Sequence, residues 1–236
     1  DAGPWHINVG LLVDQLSILF VLLITGVGSL IHVYSIGYMS HDDRRRRFFA
    51  YLNLFVAAML TLVLADNYLV LFLGWEGVGL ASYLLISFWA HKPSAARAGN
   101  KAFIVNRVGD LGLMMAIFTM FAMFGSVSYA DVNAGAEGLT PFWATMIGIF
   151  LLIGACGKSA QVPLHSWLPQ AHPEAPSNVS ALMSGGMIKI GILGILKVGL
   201  DLLAGSGVQL WWGLMVLVFG SISSVLGVVY ALHEHD

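Results

Sequence analysis

Residues 154–163 read GACGKSAQVP, and they interrupt a long apolar stretch with Gly157, Lys158, Ser159 and finally Pro163. Proline removes a backbone donor and its ring clashes with the carbonyl four residues earlier, so a regular helix cannot pass through this segment. Inside a bilayer such a break is tolerated only where the backbone packs in protein or lines a water-filled cavity. Transporters place ion sites at broken helices. The segment therefore predicts a discontinuous membrane helix with a charged site, Lys158, at its break.

The sequence on both sides of this break is apolar. Of its 236 residues, 58% are hydrophobic and 10% are charged, whereas a soluble domain carries about a quarter charged residues. A membrane-spanning helix needs about 20 mostly apolar residues. Seven stretches come close to this requirement: 11–33, 48–65, 67–89, 101–124, 141–163, 178–203 and 208–232. We therefore expect an all-α polytopic membrane bundle of about seven spans, with the break in the fifth.

The distribution of basic residues predicts the orientation of the bundle. One set of loops carries seven Lys and Arg, namely Arg44, Arg45, Arg46, Arg47, Lys92, Arg97 and Lys101. The loops at the other end of the spans, 66–67, 126–140 and 205–209, carry none. By the positive-inside rule, the N-terminus lies outside a bacterial inner membrane, and the arginine run lies in the cytoplasm. This topology explains the run without a nucleic-acid partner and leaves the lipid bilayer as its surroundings.

Several ionisable residues lie inside the predicted spans. Three of them are near the bilayer centre, Glu76, Lys158 and Lys189, and facing lipid they would together cost on the order of 8–10 kcal/mol. They are therefore expected to face the bundle interior, to pair with one another or to line water. Because neighbours easily shift the protonation of a buried group, the three residues suggest a proton relay. The alternative is that they only pin helices together.

Two further pairs of charges are candidates for a supporting role. Arg107 and Asp110 are three residues apart on one helix face, a spacing that is typical of a local ion pair. Lys197 and Asp201 are four residues apart near the outer end of their helix, where a lysine can also extend to the interface. Both pairs are expected to support the relay rather than to carry it.

Two histidines, His165 and His172, follow the broken helix on the cytoplasmic side. Their position suits a relay of protons toward the cytoplasm. It suits equally well the anchoring of this segment at the membrane interface. The sequence leaves both interpretations open.

No motif in the sequence is typical of a bound cofactor. No group of residues has the spacing of a metal site, and there is no phosphate loop, cysteine cluster or nucleophile elbow. We therefore expect no cofactor, metal or catalytic residue in this chain. If the protein serves a redox reaction, its cofactors lie in other subunits.

Five stretches together resemble a known family. They are 32–39 (HVYSIGYM), 48–55 (FFAYLNLF), 74–79 (GWEGVG), 106–110 (NRVGD) and 157–164 (GKSAQVPL). In combination they are similar to the antiporter-like, proton-translocating subunits of respiratory complex I, of the chain L or subunit 5 type. The resemblance extends over nearly the whole chain.

This resemblance implies a fold of two inverted five-helix bundles, each with one discontinuous helix. Residues 48–203 would be one such repeat within a single membrane domain, 1–236, that is an excerpt of a longer protein. The resemblance also implies that Glu76 pairs with Lys158, which communicates with Lys189. The implied partners are other membrane subunits of the complex, and NADH, flavin, iron–sulfur clusters and quinone would be bound in partner subunits.

The last third of the chain departs from this pattern. Residues 172–185 and 232–236 are more similar to the homologous membrane subunit of [NiFe] hydrogenases and formate hydrogenlyase. The predicted function is therefore proton translocation as a subunit of NADH:quinone oxidoreductase. The alternatives are a hydrogenase or formate hydrogenlyase subunit, an Mrp-type Na⁺/H⁺ antiporter subunit, and a purely structural membrane scaffold.

Overall fold

A computed structural model describes residues 9–136, 138–199, 203 and 207–233 of the chain. Its helices, in chain order, are α1 (Gln15–Tyr38), α2 (Arg45–Val63), α3 (Tyr68–Ile86), α4 (Pro93–Phe124), α5 (Tyr129–Ala136), α6 (Pro141–Lys158), α7 (Leu168–Glu174), α8 (Ser177–Lys197) and α9 (Gln209–His233). In this described part, β-structure is limited to two isolated bridges. The predicted all-α class is confirmed.

Seven of these helices are long and apolar enough to cross a membrane, namely all except the short α5 and α7. The predicted number of spans is therefore confirmed, but the bounds and regularity of the helices differ from the predicted ones. The fourth span begins at Pro93 rather than 101, since proline suits the first turn of a helix. The fifth ends at Lys158 rather than 163. The sixth contains an unexpected π-helical turn, Met183–Met187.

Close helix packing around α6 depends on glycine. A Cβ atom added to Gly109 of α4 would lie 3.0 Å from the Cα of Gly157, and one added to Gly157 would lie 3.1 Å from the Cα of Gly109. Likewise, a Cβ on Gly191 of α8 would lie 2.6 Å from the Cβ of Ser159. Small residues are how membrane helices approach backbone to backbone. The result is that α4 and α8 both press against the end of α6 where the helix breaks.

The connections fall into two groups at opposite ends of the bundle. At one end the 39–44 and 87–92 loops meet, because the Trp89 Nε1–H donates to Asp42 Oδ2 at 3.0 Å. At the other end the backbone N–H of Leu12 donates to the Leu64 carbonyl at 2.8 Å. There the Tyr129 N–H also donates to the Asp66 carbonyl at 3.2 Å. The two basic loops thus share one end of the bundle, as the sequence predicts.

Candidate functional site

The break in α6 lies where the sequence predicts it. The helix ends at Lys158, and Ala160 follows in the left-handed region with φ of 51°. Ending a helix frees carbonyl groups that need other donors. One of them, the Gly157 carbonyl, accepts a hydrogen bond from the Trp167 indole N–H at 3.1 Å, and the Ser159 hydroxyl donates to the Ala155 carbonyl at 2.6 Å. The broken backbone is therefore satisfied by the protein itself.

Lys158 is the most deeply buried charged residue of the site. Its side chain is 1% exposed, and its Nζ lies 3.5 Å from Oδ1 of Asp110, whose side chain is 3% exposed. The ammonium also lies 5.7 Å from the centre of the Trp75 ring. A Cβ added to Gly79 would lie 2.9 Å from the same Nζ. Glycine at position 79 therefore leaves the space that the ammonium group occupies.

Asp110 is fixed by a second partner. The indole N–H of Trp75 donates to Asp110 Oδ1 at 2.6 Å, the same oxygen that faces Lys158. A buried charge pair is tolerated when further hydrogen bonds satisfy its members. Trp75 on α3, Asp110 on α4 and Lys158 on α6 thus bring three helices together at one polar point.

Glu76 is paired with Arg107, not with Lys158. Arg107 Nη1 makes a salt bridge to Glu76 Oε2, and the guanidinium lies 4.8 Å from the centre of the Phe103 ring. The other carboxylate oxygen, Oε1, is buried and has no hydrogen-bond partner in the described structure. This pair is less enclosed than the lysine pair, with 40% of the Arg107 side chain and 21% of the Glu76 side chain exposed.

Two expected pairings were therefore wrong. The resemblance implies a Glu76–Lys158 pair, and the spacing predicts a local Arg107–Asp110 pair. Instead, Arg107 pairs with Glu76 on α3, and Asp110 pairs with the buried Lys158 at the end of α6. A spacing of three residues places two side chains on one helix face, but it does not decide which neighbouring helix each one meets. We call Glu76, Arg107, Asp110 and Lys158 the charge cluster.

Lys189 lies outside the charge cluster. It is exposed on the surface of the described chain, which differs from the enclosed position expected for it, because no described element covers that face. Its Nζ donates to the Ser184 carbonyl at 2.9 Å, within the π-helical turn of α8. No ion pair or hydrogen bond joins Lys189 to Lys158 among the described residues. Lys189 lies two residues before Gly191, the point at which α8 contacts Ser159 beside the break.

His172 is the second residue that Ser184 contacts. The His172 Nε2 and the Ser184 Oγ are 3.4 Å apart, so Ser184 lies between His172 and Lys189. Burial lowers the pKa of His172 below its ordinary value. Burial therefore favours the neutral form of the imidazole over the charged form.

His165 lies away from Ser184, beside Tyr230 of α9. Its ring stacks on that of Tyr230 with centroids 6.0 Å apart, and its Nδ1 is buried without a hydrogen-bond partner in the described structure. The ring lines a cavity of about 500 Å³ together with Ser166 and Ser223. The structure thus gives His172 and Lys189 a common neighbour, Ser184, whereas His165 lies on the α9 side of the break.

Lys197 has a partner that the sequence did not indicate. Its Nζ lies 3.5 Å from Asp14 Oδ2 and 4.8 Å from the centre of the Tyr129 ring. Asp201, the partner predicted from spacing, lies outside the described residues. Asp14 is the N-cap of α1, where its side chain accepts from the Ser17 N–H at 2.6 Å. Asp14 was not predicted from the sequence; the signal that could have indicated it is its position as an acidic N-cap directly before the first apolar helix.

Metal ligation has no support in the described part of the chain. No group of three or more His, Cys, Asp or Glu side chains there is placed to hold a metal ion. The charge cluster itself brings four ionisable groups of the chain together. Two carboxylates, one ammonium and one guanidinium can exchange partners or a proton.

The fold and its site define a class: a polytopic helical membrane protein with buried, paired charges at a broken helix. A family model described as "NADH:quinone oxidoreductase/Mrp antiporter, TM" matches residues 65–236, and one described as "NADH-Ubiquinone oxidoreductase (complex I), chain 5 N-terminus" matches residues 1–49. The chain belongs to the NADH:quinone oxidoreductase/Mrp antiporter transmembrane family.

Curated relatives agree with this family. NADH-quinone oxidoreductase subunit L of Mycobacterium tuberculosis is 51% identical over 236 residues, which cover 100% of this chain and 36% of the relative. NADH-ubiquinone oxidoreductase chain 5 of Chondrus crispus is 42% identical over 246 residues, with 100% and 36% covered. The chain thus spans about a third of the length of these relatives. The predicted resemblance to complex I subunits is confirmed, whereas the resemblance to hydrogenase subunits is not shown and stays a prediction.

Solved structures with the same fold include two membrane complexes. The Mrp complex from Dietzia sp. DQ12-45-1b matches with a TM-score of 0.88 and 30% identity, over 96% of this chain and 24% of that one. The membrane-bound sulfane sulfur reductase, an archaeal respiratory membrane complex, matches with a TM-score of 0.71 and 25% identity, over 83% and 32%. Both are similar to this chain in the arrangement of their helices.

Proposed function

We propose that this chain translocates protons across the membrane as part of an NADH:quinone oxidoreductase, with Lys158 as its switchable proton site. The observation that carries the proposal is the buried Lys158–Asp110 pair at the break in α6. An ammonium in such a site stays charged only while its counter-charge stays in place. The identity of the relatives supports the link to a quinone reductase.

The charge cluster suggests how the proton is released. While Glu76 neutralises Arg107, Asp110 is free to neutralise Lys158. If Glu76 moves away from Arg107, the guanidinium one turn from Asp110 attracts that carboxylate. Lys158 then loses its counter-charge in a site that excludes water, and it gives up its proton. Arg107 and Asp110 are therefore parts of the switch, and Glu76 acts on Lys158 through them.

Lys189 is the next proton site in this proposal. To accept the proton that Lys158 releases, Lys189 must first pass on a proton of its own and become a neutral amine. Its Nζ donates to the Ser184 carbonyl, and the Ser184 hydroxyl contacts His172, which would take up that proton. His172 would exchange protons with the side of the membrane that carries the basic loops. His165 would serve the cavity beside α9, and Lys197 would hold the outer end of α8 through Asp14. The helix-breaking residues Gly157, Ser159 and Pro163 keep the backbone open beside Lys158.

The remaining assignments follow from this function. The chain would lie in a bacterial inner membrane with its N-terminus outside and the arginine run in the cytoplasm. It would act as one membrane subunit of an NADH:quinone oxidoreductase without redox chemistry of its own. NADH, flavin, iron–sulfur clusters and quinone would be bound by partner subunits, and the residues 48–203 would form one five-helix repeat.

The test is proton translocation by the full-length parent complex in sodium-free proteoliposomes supplied with NADH and quinone. We expect NADH oxidation to build a proton gradient that an uncoupler abolishes. A gradient that requires hydrogen or formate instead of NADH would assign the chain to the hydrogenase branch. If intact vesicles oxidise NADH but build no proton gradient, the chain is instead a purely structural membrane scaffold.

An Mrp-type antiporter is the second candidate, because the Mrp complex from Dietzia sp. shares the fold over 96% of this chain. Such a subunit would exchange Na⁺ for protons without an electron donor. Added Na⁺ would then dissipate an imposed pH gradient in the same vesicles. We expect no such dissipation.

A further inference from the structure

The end of the bundle that carries the basic loops holds a surface whose charges are unmatched. Arg45, Arg46 and Arg47 at the start of α2, with Lys92 and Arg97 at the start of α4, are exposed. None of the five makes an ion pair with another residue in the described part of the chain. We call these five residues the basic face.

The fold brings the two halves of the basic face together. Asp42 accepts from the Trp89 indole N–H at 3.0 Å, and Arg44 Nη2 lies 3.4 Å from His91 Nδ1. These contacts join residues 47 positions apart. Topology alone requires basic residues in each loop, but it does not require the loops to converge. Their convergence makes one continuous positive surface.

The acidic groups at this end do not neutralise the surface. Asp42 is engaged by Trp89 and lies 4.0 Å from Arg44, and the hydrogen bond from Trp89 lowers its pKa. Glu174 accepts from the Ser94 hydroxyl at 3.0 Å. Asp43 is exposed beside the arginine run. Three carboxylates thus stand against Arg44 and five basic side chains that make no ion pair in the described part of the chain.

Aromatic residues at the same end place the basic face at the membrane surface. Tyr34 and Tyr38, near the end of α1, are 59% and 39% exposed, and their rings stack with centroids 5.7 Å apart. The Lys92 ammonium lies 4.9 Å from the centre of the Trp89 ring. Trp89 is half-buried, whereas the two tyrosines are exposed. Tyr and Trp are enriched at the level of lipid headgroups. A soluble acidic partner would not require this aromatic belt.

We propose that the basic face binds the headgroups of anionic phospholipids, with Arg45, Arg46, Arg47, Lys92 and Arg97 facing the lipid phosphates and Trp89 beside the acyl chains. Juxtamembrane clusters of four to eight Lys and Arg bind anionic lipid, each residue strengthening binding roughly fivefold. The occupant is a lipid and not a protein because the charges and the aromatic belt lie together.

Quenching of Trp89 by brominated lipids tests the proposal in the full-length parent. The Trp89 signal is the difference between the wild type and W89F. We expect brominated phosphatidylglycerol to quench it at roughly fivefold lower mole fraction, or less, than brominated phosphatidylcholine. High salt should weaken that preference, because it screens exposed charges.

Three variants make this test specific. R45Q/R46Q/R47Q should lose most of the preference for phosphatidylglycerol, whereas R45K/R46K/R47K should keep it. Asp131→Asn, which changes a charge at the opposite end of the bundle, should leave it unchanged. All three alter exposed side chains, and gel filtration with tryptophan emission checks that they fold.

Equal quenching of the wild type by both lipids would overturn the proposal. So would a glutamine triple variant that retains the preference for phosphatidylglycerol. If that variant keeps its lipid preference but no longer copurifies with a neighbouring subunit, the basic face is a protein interface instead. Proton translocation is not measured here, so the result is independent of the proposed function.

Discussion

The ammonium group of Lys158 is held by a single carboxylate in a site that nearly excludes water. Asp110 faces it at 3.5 Å, and Trp75 holds the same carboxylate oxygen at 2.6 Å. Removing one member of a buried pair leaves an uncompensated charge, which costs about 3–5 kcal/mol, whereas replacing both members with apolar residues is often neutral. Single and double substitutions of Asp110 and Lys158 therefore test directly whether the two residues pair.

Asp110→Asn should destabilise the protein by about 3 kcal/mol, because Lys158 loses its counter-charge. The double variant Asp110→Leu/Lys158→Met should recover most of this loss. Equilibrium unfolding in mixed micelles measures both changes in free energy. If the effects of the single substitutions Asp110→Leu and Lys158→Met simply add in the double variant, the two residues do not interact.

Gly79→Ala should displace the Lys158 ammonium, since the new Cβ would lie 2.9 Å from its present position. The end of a lysine side chain can move, so we expect a moderate loss of stability of about 1 kcal/mol, at the lower end of overpacking effects. Proton translocation by the parent complex should fall several-fold. Gly26→Ala is the matched control, because a Cβ there meets nothing within 4 Å. Equal effects at the two glycines would contradict this explanation.

At the scale of helices, α1 holds α8 at both ends. Asp14 pairs with Lys197 at one end, and at the other the Asn178 side-chain amide donates to the Ser35 hydroxyl at 2.6 Å. Between these contacts α8 carries its π-helical turn and Lys189. The two contacts fix the position of the helix that bears the second relay lysine.

Asp14→Asn should remove the pairing with Lys197 but keep the N-cap, because Asn caps helices about as well as Asp. The pair is partly exposed, so we expect a loss of about 0.5 kcal/mol at pH 7. Asp14→Ala should cost about 1 kcal/mol more, since the cap is lost as well. Unfolding measurements on the two variants separate charge from capping. Equal losses in the two variants would show that the cap contributes nothing, and an Asp14→Asn variant as stable as the wild type would show that the charge contributes nothing.

The pH dependence of this contribution has a definite sign. Burial alone would raise the pKa of Asp14, but hydrogen bonds from Ser17 and the charge of Lys197 outweigh it, and the pKa is lowered. A lowered carboxyl pKa stabilises the fold above the pKa of the unfolded chain, near 4, and the contribution disappears as the pH falls through the folded value. The difference between the wild type and Asp14→Asn should therefore shrink below about pH 4.

The sequence predicts the positions of these helices better than it predicts the contacts between them. The spans and the break in α6 follow from apolar length and from Pro163, because both are local properties of the chain. The partner exchange in the charge cluster does not, since it depends on which neighbour packs against each face of α4. The turn Met183–Met187 was also missed: Gly185 and Gly186 predict close packing but not a change of helical register.

For the whole molecule, the described chain has a charge cluster whose Lys158–Asp110 pair is enclosed, and it has charged residues at both ends. Lys189 is exposed on the side of the bundle. Relatives about three times as long match this chain over its whole length. The family could be predicted from the residues around Glu76 and Lys158, whereas the position of Lys189 could not, because it depends on what lies beside α8.

Lys189→Met should separate function from stability. The side chain is exposed and makes one hydrogen bond, so we expect a change in the free energy of unfolding within about 0.5 kcal/mol. Proton translocation by the parent complex should nevertheless be lost, because the relay loses its second site. A variant that is as unstable as Asp110→Asn, or that pumps normally, would contradict the relay.

The number of protons translocated per NADH oxidised by the full-length complex carrying Lys158→Met tests the central claim most directly. Lys101→Met, at the end of the bundle with the basic loops, is the matched control and should match the wild type. We predict that Lys158→Met assembles and still oxidises NADH, but translocates fewer protons per NADH than the control. An unchanged ratio of protons to NADH would contradict the assignment of Lys158 as the switchable proton site.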